Sequence, residues 1–96
     1  MKRKIPSPKH YDNFGSILRE LRMNAGLTQK EVAEEFNFNS AQFVSNWERG
    51  ENEPPAKYLR ALANLFSVNP DDLIETYIVF VSEKIRENAS KESYQN

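Results

Sequence analysis

Ninety-six residues make one small domain, and 39% apolar with 28% charged residues is the balance of an ordinary globular chain rather than of a disordered or membrane-embedded one. With no cysteine and one histidine, His10, the chain excludes a disulfide framework, a thiolate metal site, a cysteine nucleophile and a multi-histidine zinc site; no metal or cofactor is expected. The net charge of −1 is unevenly spread: Lys2, Arg3, Lys4 and Lys9 stand in the first ten residues without an acid, while 27–58 hold six acids against three bases, which argues against binding a polyanion by bulk charge alone.

No apolar stretch approaches the roughly 18 residues of a membrane span. Ile5-Pro6-Ser7-Pro8, after the basic start, is no hydrophobic signal segment. A cytoplasmic protein without membrane contact is expected, a nuclear basic signal at 1–4 being the other reading. Residues 1–10 read as a flexible basic arm and 89–96 as a disordered tail.

Between these ends the apolar spacing is helical. Phe14, Ile17, Leu18, Leu21 and Ala25 recur at steps of three and four, so a first helix is predicted over 12–25, stopped by Gly26 in a left-handed conformation. Thr28-Gln29-Lys30-Glu31 is a capping box: hydroxyl and carboxylate satisfy each other's free amides and open a second helix of about nine residues, with Val32, Ala33 and Phe36 inward. Ser40 is the predicted N-cap of a third helix over 40–49, anchored by Val44 and Trp47 and ended by Gly50. The link 36–40 lacks glycine, so Asn37 or Asn39 must supply any left-handed residue.

Glu51-Asn52-Glu53-Pro54 reads as a turn, and Pro55 suits the first position of a fourth helix with Tyr58, Leu59, Leu62, Leu65 and Phe66 inward. Asn69-Pro70-Asp71-Asp72 is an N-cap, a proline and two acids at the positive end of a fifth helix reaching about 88. A short strand over 76–81 is the competing reading, because that stretch is β-branched and aromatic.

Two short helices joined by a tight turn form a helix-turn-helix. Leu18-Arg19-Glu20-Leu21-Arg22, Gly26-Leu27-Thr28-Gln29-Lys30-Glu31-Val32-Ala33, Ser40-Ala41-Gln42-Phe43-Val44-Ser45-Asn46-Trp47-Glu48-Arg49-Gly50 and Pro54-Pro55 carry a closer likeness. Residues 14–75 resemble the phage repressor and Cro-like domain, also called the xenobiotic-response-element family. The resemblance implies an all-α, compact five-helix bundle of lambda-repressor-like type. The DNA-binding domain is expected over 11–75, followed by a helical extension over 76–88 that is expected to serve dimerisation. It also implies a sequence-specific regulator, a repressor, that places helix 40–49 in the major groove of double-stranded DNA. The turn departs from the family pattern: it is one residue longer and has no glycine.

With Val44 and Trp47 inward, residues 41, 42, 45 and 46 face outward. Gln42 and Asn46, one turn apart, can each pair bidentately with an adenine edge, Ala41 can touch a thymine methyl, and Ser45 can bond a base or a phosphate. A merely solvated polar face is the bland alternative. Phe43 either packs beneath the turn or touches sugar and methyl groups at the groove rim. Gln29 stands where helix N-terminal amides favour a phosphate, and the resemblance has it brace the first residues of the third helix. Backbone contacts are assigned to Gln29, Ser40, Phe43, Arg49, Asn52 and Lys57, the last three through the resemblance. Glu51 and Glu53 depart from it, because acids repel phosphate. The resemblance further implies an Arg22–Glu48 salt bridge.

The last helix carries two apolar rows. Leu73, Tyr77 and Phe80 suit its own core. Ile74, Ile78, Val81 and Ile85 form a second seam, read as the interface of a symmetric homodimer whose recognition helices lie about 34 Å apart. Packing of both rows within one chain is the alternative. The acid pairs Glu34-Glu35 and Asp71-Asp72 do not face each other and form no catalytic dyad, Asn88-Ala89-Ser90 matches a glycosylation acceptor with nothing to indicate secretion, and His10 reads as an ordinary arm residue. No enzyme is expected. Two rival functions stand beside the repressor: a protein-contact or antitoxin-type module, and a controller-type activator using Glu31, Glu34 and Glu35 on RNA polymerase.

Overall fold

The computed structural model describes residues 2–91, of which Lys91 by its backbone only. The described helices are α1 (Phe14–Asn24), α2 (Gln29–Glu35), α3 (Gln42–Glu48), α4 (Leu59–Leu65) and α5 (Pro70–Lys91), with single 3-10 turns at Pro8–His10 and Ala56–Tyr58. Helices α1 to α4 all stop by one device. The residue after the C-cap turns left-handed, and the next amide reaches back to close a six-residue loop. Gly26 (φ 75°), Asn37 (61°), Gly50 (76°) and Ser67 (60°) hold the left-handed positions. The amides of Leu27, Phe38, Glu51 and Val68 then donate to the carbonyls of Arg22, Ala33, Asn46 and Ala63 at 3.2, 3.0, 3.0 and 2.9 Å. Asn37 thus meets the demand for a left-handed residue in the glycine-free turn.

Helix starts follow local chemistry less uniformly. Thr28 and Glu31 form the capping box in full, and Asn69 Oδ1 accepts from the amides of Asp71 and Asp72. Helix α5 runs past the expected 88 to Lys91, so 89–91 of the expected disordered tail are helical, while 92–96 lie outside the described residues. Three helix starts also differ from expectation. Helix α1 begins at Phe14 rather than at 12, capped by Asn13, whose Oδ1 accepts from Ser16 N–H at 2.9 Å. The third helix begins at Gln42, with Ala41 at the cap position and no side-chain cap. The Ser40 hydroxyl accepts the Gln42 amide instead, at 3.2 Å, an i to i+2 turn that delays the helix. Pro55 opens the 3-10 turn, and the fourth helix starts only at Leu59. Residues 76–81 are helical, not a strand. Alanine-rich peptides of seven residues do not hold a helix in water, so α2, α3 and α4 exist because they pack.

Phe14, Ile17, Leu18 and Leu21 of α1, Val32 and Ala33 of α2, Val44 and Trp47 of α3, Leu59 and Leu62 of α4, and Phe66, Val68 and Leu73 form the core. Each such large side chain contributes about 1.5–3 kcal/mol of transfer free energy, several times any propensity difference over one short helix. Helix α1 packs on α3, α2 on α3, and α4 along α5. Phe36, Phe38 and Phe43 meet Trp47 and Tyr58 in a five-ring cluster, with centroids of contacting rings 5.1–5.9 Å apart. Phe38 makes four of these contacts, so the longer turn is filled from within rather than looped out.

Residues 3–10, expected as a flexible arm, lie against the domain. The Arg3 amide donates to Ser67 O at 2.6 Å beside a single parallel bridge to Val68. Its guanidinium reaches Asn24 O at 2.9 Å, and Ile5 packs on the core. Ser67 carries a side chain in a conformation that costs an L-residue roughly 1–2 kcal/mol, against a smaller unfolded-state cost of glycine. Ser67→Gly is therefore expected to stabilise the fold by up to about 1 kcal/mol, read as a higher midpoint in thermal circular dichroism. An unchanged or lower midpoint would contradict this account of the helix stop.

Candidate nucleic-acid interface

Helix α3 has a dry side and a wet side. Val44, Trp47 and Glu48 are buried, Ala41, Ser45 and Asn46 are half-buried, and Gln42, Phe43 and Arg49 are exposed. The residues expected outward at 41, 42, 45 and 46 therefore lie on or beside the open face, and Arg49 extends it by one turn.

Those side chains form one hydrogen-bonded network. Arg49 Nη2 donates to Asn46 Oδ1 at 2.6 Å, Arg49 Nε to Ser45 Oγ at 3.3 Å and Arg49 Nη1 to Glu51 Oε2 at 2.7 Å. Gln42 Nε2 donates to the same Asn46 Oδ1 at 2.9 Å. Both lone pairs of the Asn46 oxygen are thereby in use, so only its amino group is free to donate. The bidentate adenine contact expected of Asn46 needs that oxygen as acceptor, and this arrangement withholds it. Gln42 keeps its carbonyl oxygen and one N–H free.

Glu48 points the other way. Its carboxylate accepts from Arg22 Nε at 2.6 Å and Arg22 Nη2 at 3.1 Å, a bidentate pair with side chains 3% and 12% exposed. Arg22 Nη1 also holds the Leu27 carbonyl at 2.8 Å. The third donor to Glu48 is Gln29 Nε2, at 3.0 Å. Gln29 thus braces the last residue of α3, where the resemblance implied its first residues, and its amide nitrogen is engaged within the protein rather than turned to a phosphate. No buried side-chain polar atom among the described residues lacks a partner.

The segment after α3 is tied down at both acids that depart from the family pattern. Glu51 is paired with Arg49, and Glu53 Oε2 accepts from Lys84 Nζ of α5 at 3.0 Å. Pro54 is fully buried, Asn52 is exposed, and exposed Lys57 holds its ammonium 5.3 Å from the Tyr58 ring centre. Phe43, half of whose surface is open at 56%, rests its ring 5.1 Å from that of Phe38. It packs in the aromatic cluster beside the turn, as the first of the two sequence readings expects, and leaves its other side to solvent. Ser40 is exposed at the head of the same face.

On α5, Leu73 is buried while Tyr77 and Phe80 are partly buried against the core, as expected of the first row. The second row divides. Ile74 packs on the same core, Val81 is half-buried, and Ile78 and Ile85 are 49% and 62% exposed, joined by Val79 at 40%. Val79 belongs to neither row, so its exposure carries no signal in the spacing. Among the described residues no helix is long and apolar enough to cross a membrane, and no cluster of three or more His, Asp and Glu side chains is placed to hold a metal.

A helix-turn-helix family model matches residues 18–73, from the second turn of α1 into the first turn of α5, more than half of the chain. The HTH-type transcriptional regulator ImmR of Bacillus subtilis (strain 168) is 40% identical over 62 residues, 65% of this chain and 48% of that protein. The HTH-type transcriptional activator BcrR of Enterococcus faecalis is 32% identical over 80 residues, 81% of this chain and 39% of that protein. The chain therefore spans less than half the length of these curated relatives. No solved structure matches. The matched segment contains the Arg22–Glu48 pair, the capping box and the whole of α3, the same residues that carry the phage repressor and Cro-like likeness, and the chain belongs to this helix-turn-helix family.

Proposed function

We propose that the chain is a sequence-specific double-stranded DNA-binding regulator of transcription, a repressor, that lays α3 in the major groove. One observation carries the reading: a helix buried through Val44 and Trp47 turns a connected set of donors and acceptors, Gln42, Ser45, Asn46 and Arg49, to solvent. Base edges are read by such groups on a helix of groove-fitting width. The names of the two relatives support the same class of function. Ala41, Gln42, Ser45 and Asn46 are assigned to base edges. Gln29 through its helix-start backbone, together with Ser40, Phe43, Arg49, Asn52 and Lys57, is assigned to sugar and phosphate.

Selection from a randomised duplex pool, followed by titration at two salt concentrations, tests this. Gln42→Ala is expected to lose discrimination at one base pair, whereas Lys57→Ala weakens all duplexes alike and lowers the salt slope by about one. A pool that enriches no sequence would overturn the proposal.

Exposed Ile78, Ile85 and Val79 on a 22-residue α5 support a homodimer through Ile74, Ile78, Val81 and Ile85, with two recognition helices about 34 Å apart on a near-palindromic site. Because Ile78 is half exposed, Ile78→Glu is expected to leave the fold intact and yield a monomer of weak DNA affinity. Sedimentation checks it, and an unchanged mass would refute the interface. A second reading, an activator, is favoured by exposed Glu34 and Glu35 beside Glu31 on α2 and by the name of BcrR as a transcriptional activator. The sign of a promoter-reporter response separates the two.

A further inference from the structure

Acids beside a phosphate-facing arginine weaken binding to any DNA, yet the chain has Glu51 two residues after Arg49. We infer that Glu51, acting through Arg49, fixes which hydrogen-bonding groups α3 turns toward a base pair; the inference rests on the DNA-reading function proposed above. A carboxamide can present either its oxygen or its nitrogen to a neighbour, and the two choices are nearly equal in shape. Arginine offers no such choice, because it only donates. Arg49 donates to Asn46, so Asn46 must present its oxygen inward. That oxygen then requires Gln42 to present its nitrogen, leaving the Gln42 oxygen outward. Ser45 accepts from Arg49 Nε, so one of its lone pairs is taken and its hydroxyl hydrogen points away from the guanidinium.

The polarity of the reading face therefore descends from one guanidinium. Its orientation is held by Glu51, which the α3 stop places within reach: Gly50 turns left-handed and the Glu51 amide folds back on Asn46 O at 3.0 Å. The free groups are then an acceptor and a donor on Gln42, donors alone on Asn46, and a hydroxyl hydrogen with one lone pair on Ser45. That set matches the N6 and N7 edge of adenine beside an acceptor-rich step such as guanine N7 and O6 or thymine O4. The Arg49–Glu51 pair is open to water, its side chains 52% and 56% exposed, so it adds little to stability. Its consequence is directional. Glu51 is a positioning residue, and its negative charge also withholds Arg49 from indiscriminate phosphate contact.

Glu53 supplies the matched control, since it lies in the same loop with the same charge but pairs with Lys84 on α5. The probes are the duplex that the full chain enriches from a randomised pool, and that duplex with each base pair changed singly. Wild type is expected to prefer the parent roughly 5- to 150-fold at the pairs read by Gln42 and Asn46. Glu51→Ala and Glu53→Ala each remove one acid, and both are expected to bind every duplex more tightly. Only Glu51→Ala loses the preference at those pairs. Arg49→Lys, which keeps the charge but cannot fork to three acceptors, is expected to lose the same preference with the salt slope unchanged. Equal discrimination by the Glu51→Ala and Glu53→Ala proteins overturns the inference while leaving the DNA-reading function standing. A wild-type chain that enriches nothing overturns that function and the inference with it.

Discussion

Gly15→Ala is expected to destabilise the protein by more than the roughly 1–3 kcal/mol usual for overpacking, and to lower its melting temperature by about 15 °C or more. Gly15 lies in the first turn of α1, where it is buried against the last turn of α3. A Cβ there would stand 2.0 Å from the Trp47 carbonyl oxygen and 2.8 Å from that of Glu48. Both are backbone atoms, so no side-chain rotation relieves the clash and the two helices must separate. Separation loosens the contact that carries Trp47 and the Arg22–Glu48 pair. Gly26→Ala makes the contrast. Nothing lies within 4 Å of its Cβ, and only the left-handed φ of 75° opposes it, a cost of about 1–2 kcal/mol. Thermal melts of both variants by circular dichroism check the order; a Gly15→Ala protein as stable as Gly26→Ala would refute the close approach of α1 to α3.

Arg22→Ala is expected to cost about 3–5 kcal/mol, because it leaves the Glu48 carboxylate, 3% exposed, with Gln29 as its remaining donor. The loss follows from an uncompensated buried charge, not from the intrinsic worth of the pair. Replacing both partners by apolar residues of similar size, Arg22→Met with Glu48→Leu, should therefore recover much of the stability that Arg22→Ala loses. Chemical denaturation of the single and double variants measures this. A double variant less stable than Arg22→Ala would mean that the Leu27 and Gln29 bonds, rather than charge burial, dominate. Since α2 hangs on this cluster through Gln29 and Leu27, Arg22→Ala should also reduce DNA affinity without changing base preference.

The stops of α1 and α3 were legible because Gly26 and Gly50 do their work within six residues of chain. The capping box at Thr28 and the Asn69 cap were legible for the same reason. Ser67 was not, since serine carries no mark of a left-handed position; it is held there by Val68 in the core and by Arg3 bonded to its carbonyl. Gly15 carries no such mark, because a glycine inside a helical pattern reads as a weak helix former, and only a second helix against it reveals its use. The outward set Gln42, Ser45 and Asn46 followed from Val44 and Trp47 facing in, whereas the partition of donors and acceptors among them depends on Arg49 and its anchor. Arg22 and Glu48 lie 26 residues apart, and only the family likeness paired them in advance.

What the amino-acid order alone determined is the helical pattern of residues 12–75, the stop of α1 and α3, the side of α3 that is dry and the side that is wet, because each rests on contacts within one or two helical turns. What only the folded molecule decided is the approach of α1 to the end of α3, the inward turn of Gln29, the docking of residues 3–10 and the direction of every amide on the reading face. The first three depend on groups brought together from distant parts of the chain, and the last on which polar atom of a nearby side chain is left free, about which periodicity carries no information.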